Sequence, residues 1–266
     1  MFKKVVFSCG IVALGFSNAQ GAYEYNDPTV GNIAIEGQLW QPQLTGTVSH
    51  ATGTSESITD FENDLGYNEK KNITSLSVDI KNDIIWFPNL SINHFSFSES
   101  STGTTTTSKF IGETQANEFA SGQLLSKTDY SETALRGYGY LQNGILQFNL
   151  GVQVKSINYE QTIEHATNGK NVTLKGPESL IVSPYVGVEI NLQEINTLIK
   201  AESSIVSVGD DEALDYSYSI NYRIMKHMYL GVGYKYHGFK SKNEVYNQEK
   251  YDVELKGTYF SGKILF

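Results

Sequence analysis

The chain has 266 residues and a formal net charge of −9; it is 39% hydrophobic, 18% charged and 12% aromatic. That acidic balance excludes the basic face of a nucleic-acid binder, and a single cysteine, Cys9, excludes an internal disulfide framework. With 17 Tyr, 13 Phe and 24 Gly, and with Asn, Ser and Thr throughout, the composition disfavours a large helical protein. A mean hydropathy of −0.30 argues against helical membrane proteins only, because spanning strands mix apolar and polar residues.

The first 22 residues are built for export. Lys3 and Lys4 precede the uncharged run Val5–Phe16, and Ser17-Asn18-Ala19 places small residues at the −3 and −1 positions of a cleavage site. The run is too short to cross a bilayer as a helix. Cys9 lies inside it rather than after it, which excludes a lipoprotein attachment site. The reading is a signal peptide over 1–19 and one domain over 20–266. No later stretch reaches 18 apolar residues, so no transmembrane helix is expected.

The remainder alternates with period two, the signature of strands with one apolar and one polar face. In 75–86, Leu76, Val78, Ile80, Ile84 and Trp86 oppose Ser75, Ser77, Asp79, Lys81 and Asp83. In 145–155, Leu146, Phe148, Leu150, Val152 and Val154 share one face. The same holds for Leu180, Val182, Val186 and Val188, for Tyr216, Tyr218, Ile220, Tyr222 and Ile224, and for Leu230, Val232, Tyr234 and Tyr236. Ten strands are expected, at 32–40, 73–87, 90–98, 129–141, 145–160, 179–192, 196–208, 213–225, 228–240 and 250–266.

Most exceed the usual soluble strand length and fit a membrane-spanning one. Connections alternate between short, as at Pro88-Asn89 and Gln142-Asn143-Gly144, and long, as at 41–72, 99–128 and 161–178. That asymmetry, with Trp86, Tyr236 and Phe266 near strand ends, predicts an all-β fold. It is a transmembrane antiparallel up-and-down barrel of about ten strands, with eight or twelve as alternative counts. A soluble β-sandwich is the competing architecture.

Two strands break phase. Leu90 and Ile92 oppose Phe95 and Phe97, and Val253, Leu255 and Tyr259 oppose Phe260, Ile264 and Phe266. A β-bulge in each would restore the alternation. A hairpin of 108–114 with 119–125 would, if it entered the bilayer, raise the count to twelve.

The closing residues Lys256–Phe266 resemble the last strand of Gram-negative outer-membrane barrels, which end in Phe with apolar residues at alternate positions. Phe266, Ile264 and Phe260 carry the match; Gly262 stands one place from the usual glycine, where this chain has Ser261. In that family the strand is read by the barrel-assembly machinery, which the resemblance implies as a transient partner. The segment 59–66 and the strands around Phe87-Pro88-Asn89-Leu90 resemble a poorly characterised family of small outer-membrane β-barrel proteins. The resemblance implies a bacterial outer-membrane location and no agreed activity.

By strand phase, nine acids face the lumen: Glu36, Asp79, Asp83, Glu132, Glu189, Glu202, Asp215, Asp252 and Glu254. Seven bases join them: Lys81, Arg136, Lys155, Lys200, Arg223, Lys235 and Lys256. A barrel this narrow is filled by such side chains, and their pairing predicts a plugged interior rather than a porin. Further acids, among them Glu56, Asp60, Glu62, Asp64, Glu69 and Glu99, make an acidic outer rim facing lipopolysaccharide.

The segment 59–66 reads as a helical turn capped by Thr59 or Asp60 and ended by Gly66. It lacks the ligand spacing of a calcium loop, so the expectation is a solvated acidic loop. Omptin-type proteases are also ten-stranded and use acids and a His at the outer rim, for which Asp210, Asp211 and His237 are candidates by type. His94-Phe95-Ser96 has the His-x-Ser spacing of small-barrel lipid A deacylases. His50, His165 and His227 show no metal spacing. No catalytic, cofactor or metal residue set is assigned.

The expected function is that of an integral outer-membrane barrel, structural or binding through its outer loops. A hydrolase acting on lipid A or peptides, or a narrow gated channel, is the alternative.

Overall fold

The computed structural model describes residues 19–20, 33–52, 55–81, 87–111, 118–176, 179–208, 211–242 and 249–266. Ten long strands form the wall: β1 Ile33–Thr52, β2 Ile73–Ile80, β3 Asn89–Thr105, β4 Gly122–Asn143 and β5 Leu146–His165, followed by β6 Ser179–Leu192, β7 Thr197–Val208, β8 Asp211–Met225, β9 Met228–Lys242 and β10 Glu249–Leu265. Each pairs antiparallel with its neighbours in sequence, and β1 pairs with β10 from Glu249↔His50 to Leu265↔Ala34. The ladder closes on itself, so the fold is an up-and-down barrel of ten strands. Closure removes the unpaired edges an open sheet would expose.

Short turns occupy one rim. Gly144, at φ +60, begins the two-residue turn between β4 and β5, a position that favours the left-handed region. Gln193–Ile195 forms a 3-10 turn ended by Asn196 at φ 53, and Lys226-His227 joins β8 to β9. At the other rim the strands outrun the expected bounds. β1 continues to Thr52 and pairs with Ser55–Asp60. The β4–β5 ladder reaches Leu124↔His165, and Asn171–Lys175 folds back to pair with Glu160–Glu164 of β5. The expected hairpin after β3 is the tip of an existing one, a short ladder of Lys109–Phe110 with Glu118–Phe119, so it adds no spanning pair.

The outward faces are the apolar ones. Leu39, Leu76, Leu150, Val186, Ile220, Val232 and Phe260 are all exposed. On β8 and β9 the apolar band ends in stacked tyrosines: Tyr216 lies 4.9 Å from Tyr236, and Tyr218 lies 5.6 Å from Tyr234. Beyond them come Glu254 and Lys256, 3.1 Å apart, and Lys240 and Asp252, 3.3 Å apart. Phe266 is exposed at the short-turn end. Apolar surface bounded by aromatics and then charge is the profile that a bilayer selects. Ile84, Trp86 and Asp83 lie outside the described residues.

Neither expected bulge exists. The β3–β4 register runs unbroken from Asn89↔Tyr138 to Thr105↔Gly122, and β10 keeps register with both neighbours. Phe95, Val253, Leu255 and Tyr259 are out of phase because they point inward, where they are buried. The same parity corrects the lumen list: Asp252, Glu254 and Lys256 alternate with these residues and lie outside. Glu99, expected on the loop rim, is a buried residue of β3, 3.8 Å from Lys71.

The inner apolar residues meet an inserted segment. Asp60 caps the turn as expected, its Oδ1 accepting from the amides of Glu62 and Asn63 at 2.9 and 2.8 Å. Gly66 ends it at φ +79. The turn is not solvated, however, because Phe61, Leu65 and Tyr67 are wholly buried. They pack with Leu44, Val48, Leu124, Tyr159, Ile163 and Tyr251. Tyr67 Oη meets Ser126 Oγ at 2.9 Å and Thr128 Oγ1 at 2.8 Å on β4. The segment passes so close to β3 that a Cβ on Gly103 would collide with the Asp64 carbonyl. Gly103→Val should therefore expel 61–67 from the lumen. Trypsin should then cut at Lys70 or Lys71 faster than in wild type, while the barrel itself survives.

Candidate functional site

The lumen has three layers. The first, next to the long-loop rim, is the apolar plug. Beneath it, Trp40 packs edge-on to Phe95 at 5.2 Å, and Phe95 stacks on Tyr130 at 5.7 Å. Strand alternation delivers these rings to one height from β1, β3 and β4.

The second layer is a buried ionic cluster contributed by β4, β5, β8 and β9. Lys155 Nζ lies 2.8 Å from Asp215 Oδ1 and 3.5 Å from Glu132 Oε2. His237 Nδ1 lies 3.0 Å from Asp215 and 3.2 Å from Glu132. Tyr130 Oη donates to Glu132 at 2.9 Å, and Gln153 Nε2 donates to Asp215 at 2.9 Å. All four charged residues are buried. Two carboxylates facing a lysine and an imidazole are close to charge balance, which is what makes their burial tolerable.

Glu132, Asp215 and His237 offer ligand atoms within 4.8 Å of one another, a spacing compatible with a metal ion. The Lys155 ammonium already occupies the space between the carboxylates, so the cluster is built as an ion-pair lock. Metal entry would require its displacement.

The third layer is a polar cavity of about 400 Å³. It reaches from Gln142, Ile145 and Leu265 at the short-turn rim up to Asp215 and His237. Glu202 is held on its wall by Lys200 at 2.6 Å, Arg136 at 3.3 Å and the Tyr185 hydroxyl at 2.6 Å. Arg136 also stacks over the Tyr185 ring at 5.0 Å. Lys263, which phase counting overlooked, faces Asp79 at 3.9 Å.

Among the described residues, the candidate catalytic residues do not assemble. His94 points outward, bonded through Nδ1 to Thr133 Oγ1 at 2.9 Å, and Ser96 shares that exposed face. His237 sits deep in the lumen rather than at the rim. Asp210 and the Asp211 side chain lie outside the described residues. His165 Nδ1 accepts from the Thr167 amide at 3.2 Å, and His227 is in a short turn. Sequence reasoning missed the inward aromatic layer, whose one signal was the phase break in β3 and β10.

No family model matches the chain, and no curated protein does. Among solved structures it is similar to the outer membrane protease OmpT from Escherichia coli, at 10% identity and a TM-score of 0.52. The match covers 88% of this chain and 97% of that one. The fold is that of an outer-membrane β-barrel. Looser likenesses are the Pseudomonas putida toluene transporter TodX, at 9% identity, TM-score 0.34 and 88% and 90% coverage. Another is Neisserial surface protein A, at 7% identity, TM-score 0.30 and 89% and 99% coverage.

Breaking the lock should be costly. Lys155→Met leaves two buried carboxylates facing one imidazole and should destabilise the barrel by about 3–5 kcal/mol. Lys127→Met removes a solvent-exposed pair and should leave the midpoint essentially unchanged, because water screens such a pair. Urea unfolding midpoints in detergent compare the two.

Proposed function

We propose that the chain is an integral outer-membrane barrel that is sealed against passage and acts through its long-loop end. The observation that carries this reading is the insertion of Phe61, Leu65 and Tyr67 into the upper lumen, above the Lys155–Asp215–Glu132–His237 lock. Apolar packing and paired charges fill successive heights of a narrow ten-stranded interior. The outward apolar band and its tyrosine border support the membrane setting. The likeness to an outer-membrane protein supports its location.

The strands that rise past the band support a surface role, since they carry hairpins clear of the bilayer. Export through a signal peptide over 1–19, insertion by the barrel-assembly machinery, and outer-membrane lipid and lipopolysaccharide neighbours belong to the same proposal.

The purified protein should shift its gel mobility on boiling and give no steady conductance in planar bilayers. A stable open pore would overturn the sealed reading. The competing hydrolase reading has its own measurement. A deletion strain should keep an unaltered lipid A profile and unaltered surface proteolysis. A changed profile restored by wild type but not by His94→Ala would overturn the non-enzymatic reading.

A further inference from the structure

The lower cavity carries a second, separate inference, which concerns the end of the barrel away from the loops and does not depend on the sealed reading. Its volume of about 400 Å³ lies in the range of small-molecule sites. Its lining holds five acids (Glu36, Asp79, Glu189, Glu202 and Asp215) and five Lys or Arg residues. A ligand without net charge is therefore the best electrostatic match.

Most of these charges are spoken for. Glu202 is held by Lys200 and Arg136, Asp79 faces Lys263, and Asp215 is locked to Lys155. Among the described residues Glu36, Glu189, Lys81 and Lys235 form no ion pair. Glu189 accepts from Asn149 Nδ2 at 3.2 Å. Glu36 and Lys235 are bridged by one amide. Gln38 Nε2 donates to Glu36 Oε1 at 2.8 Å, and Lys235 Nζ donates to Gln38 Oε1. The ammonium is further set between the rings of Trp40 and Tyr259, at 5.5 and 5.4 Å.

The amide thus holds a carboxylate and an ammonium apart, on adjacent walls of an open cavity. Each keeps hydrogen-bonding capacity that Gln38 does not use. A carboxylate accepts at two oxygens and an ammonium donates three protons. Tyr138, Tyr185 and Tyr229 add ring surface to the lining.

We propose that this cavity is a binding site for a small zwitterion, an amino acid or short peptide. The ligand ammonium pairs with Glu36, and the ligand carboxylate pairs with Lys235. Gln38 sets the spacing between the two charged contacts. The ligand enters from the short-turn rim, where Gln142, Ile145 and Leu265 line the cavity.

The test titrates the folded barrel in detergent, by calorimetry, with four probes: Ala-Ala, N-acetyl-Ala-Ala, Ala-Ala amide and maltose. Ala-Ala should bind saturably at one site, and each blocked form should bind at least tenfold more weakly. Glu36→Gln should abolish the preference for a free amine, and Lys235→Met the preference for a free carboxylate. Both variants are first checked for the boiling-dependent gel shift. If either fails to fold, the wild-type probe series decides alone. No binding of Ala-Ala, equal binding of the blocked forms, or binding of maltose alone would overturn the proposal. Conductance is measured separately, so failure here leaves the sealed reading untouched, and the reverse.

Discussion

The backbone of a strand facing hydrocarbon has no water to bond, so every N–H and C=O must find its partner in the next strand. The rest of this barrel follows from that constraint. It forces β1 onto β10 and leaves no edge. It also fixes alternation, since an unbroken ladder sends successive side chains to opposite sides of the wall. One side meets an apolar medium, and the other meets whatever the barrel can assemble inside itself.

The inside is organised by height. Near the long loops β2 is only eight residues long, and β1 turns away to pair with Ser55–Asp60. Gly46, at φ +124 and pressed against the Asp252 carbonyl, sits at that departure. The wall there would lack a neighbour strand beside β3. The 61–67 segment takes up that space and pushes three rings or aliphatic chains into the lumen. The apolar layer is therefore a consequence of a short strand, and the ionic lock lies where the wall becomes complete.

The lock and the cavity solve the problem of interior charge differently. In the lock, a buried charge without a partner would cost several kcal/mol, and both carboxylates are matched by Lys155 and His237. In the cavity, Glu36 and Lys235 are kept apart by an amide and face open space. Rigid strands on either side hold that separation, which is what preorganises a site. The two arrangements sit one above the other in the same barrel, one closing it and the other leaving room.

Much of this was legible in the residues. The ten strands, their order and the outward faces of Phe148, Val186, Ile220 and Val232 follow from period two, because a lipid face tolerates few alternatives. The cap at Asp60 and the stop at Gly66 follow from local backbone chemistry. The inward aromatics were visible only as a phase break in β3 and β10. The assumption that apolar means outward turned them into bulges.

Which interior residues meet was decided by the tertiary structure alone. Alternation tells a side chain's direction but neither its height nor its opposite number. Strand register and the depth of the inserted segment set those, bringing Lys155 to Asp215, Tyr67 to Thr128, and Gln38 between Glu36 and Lys235.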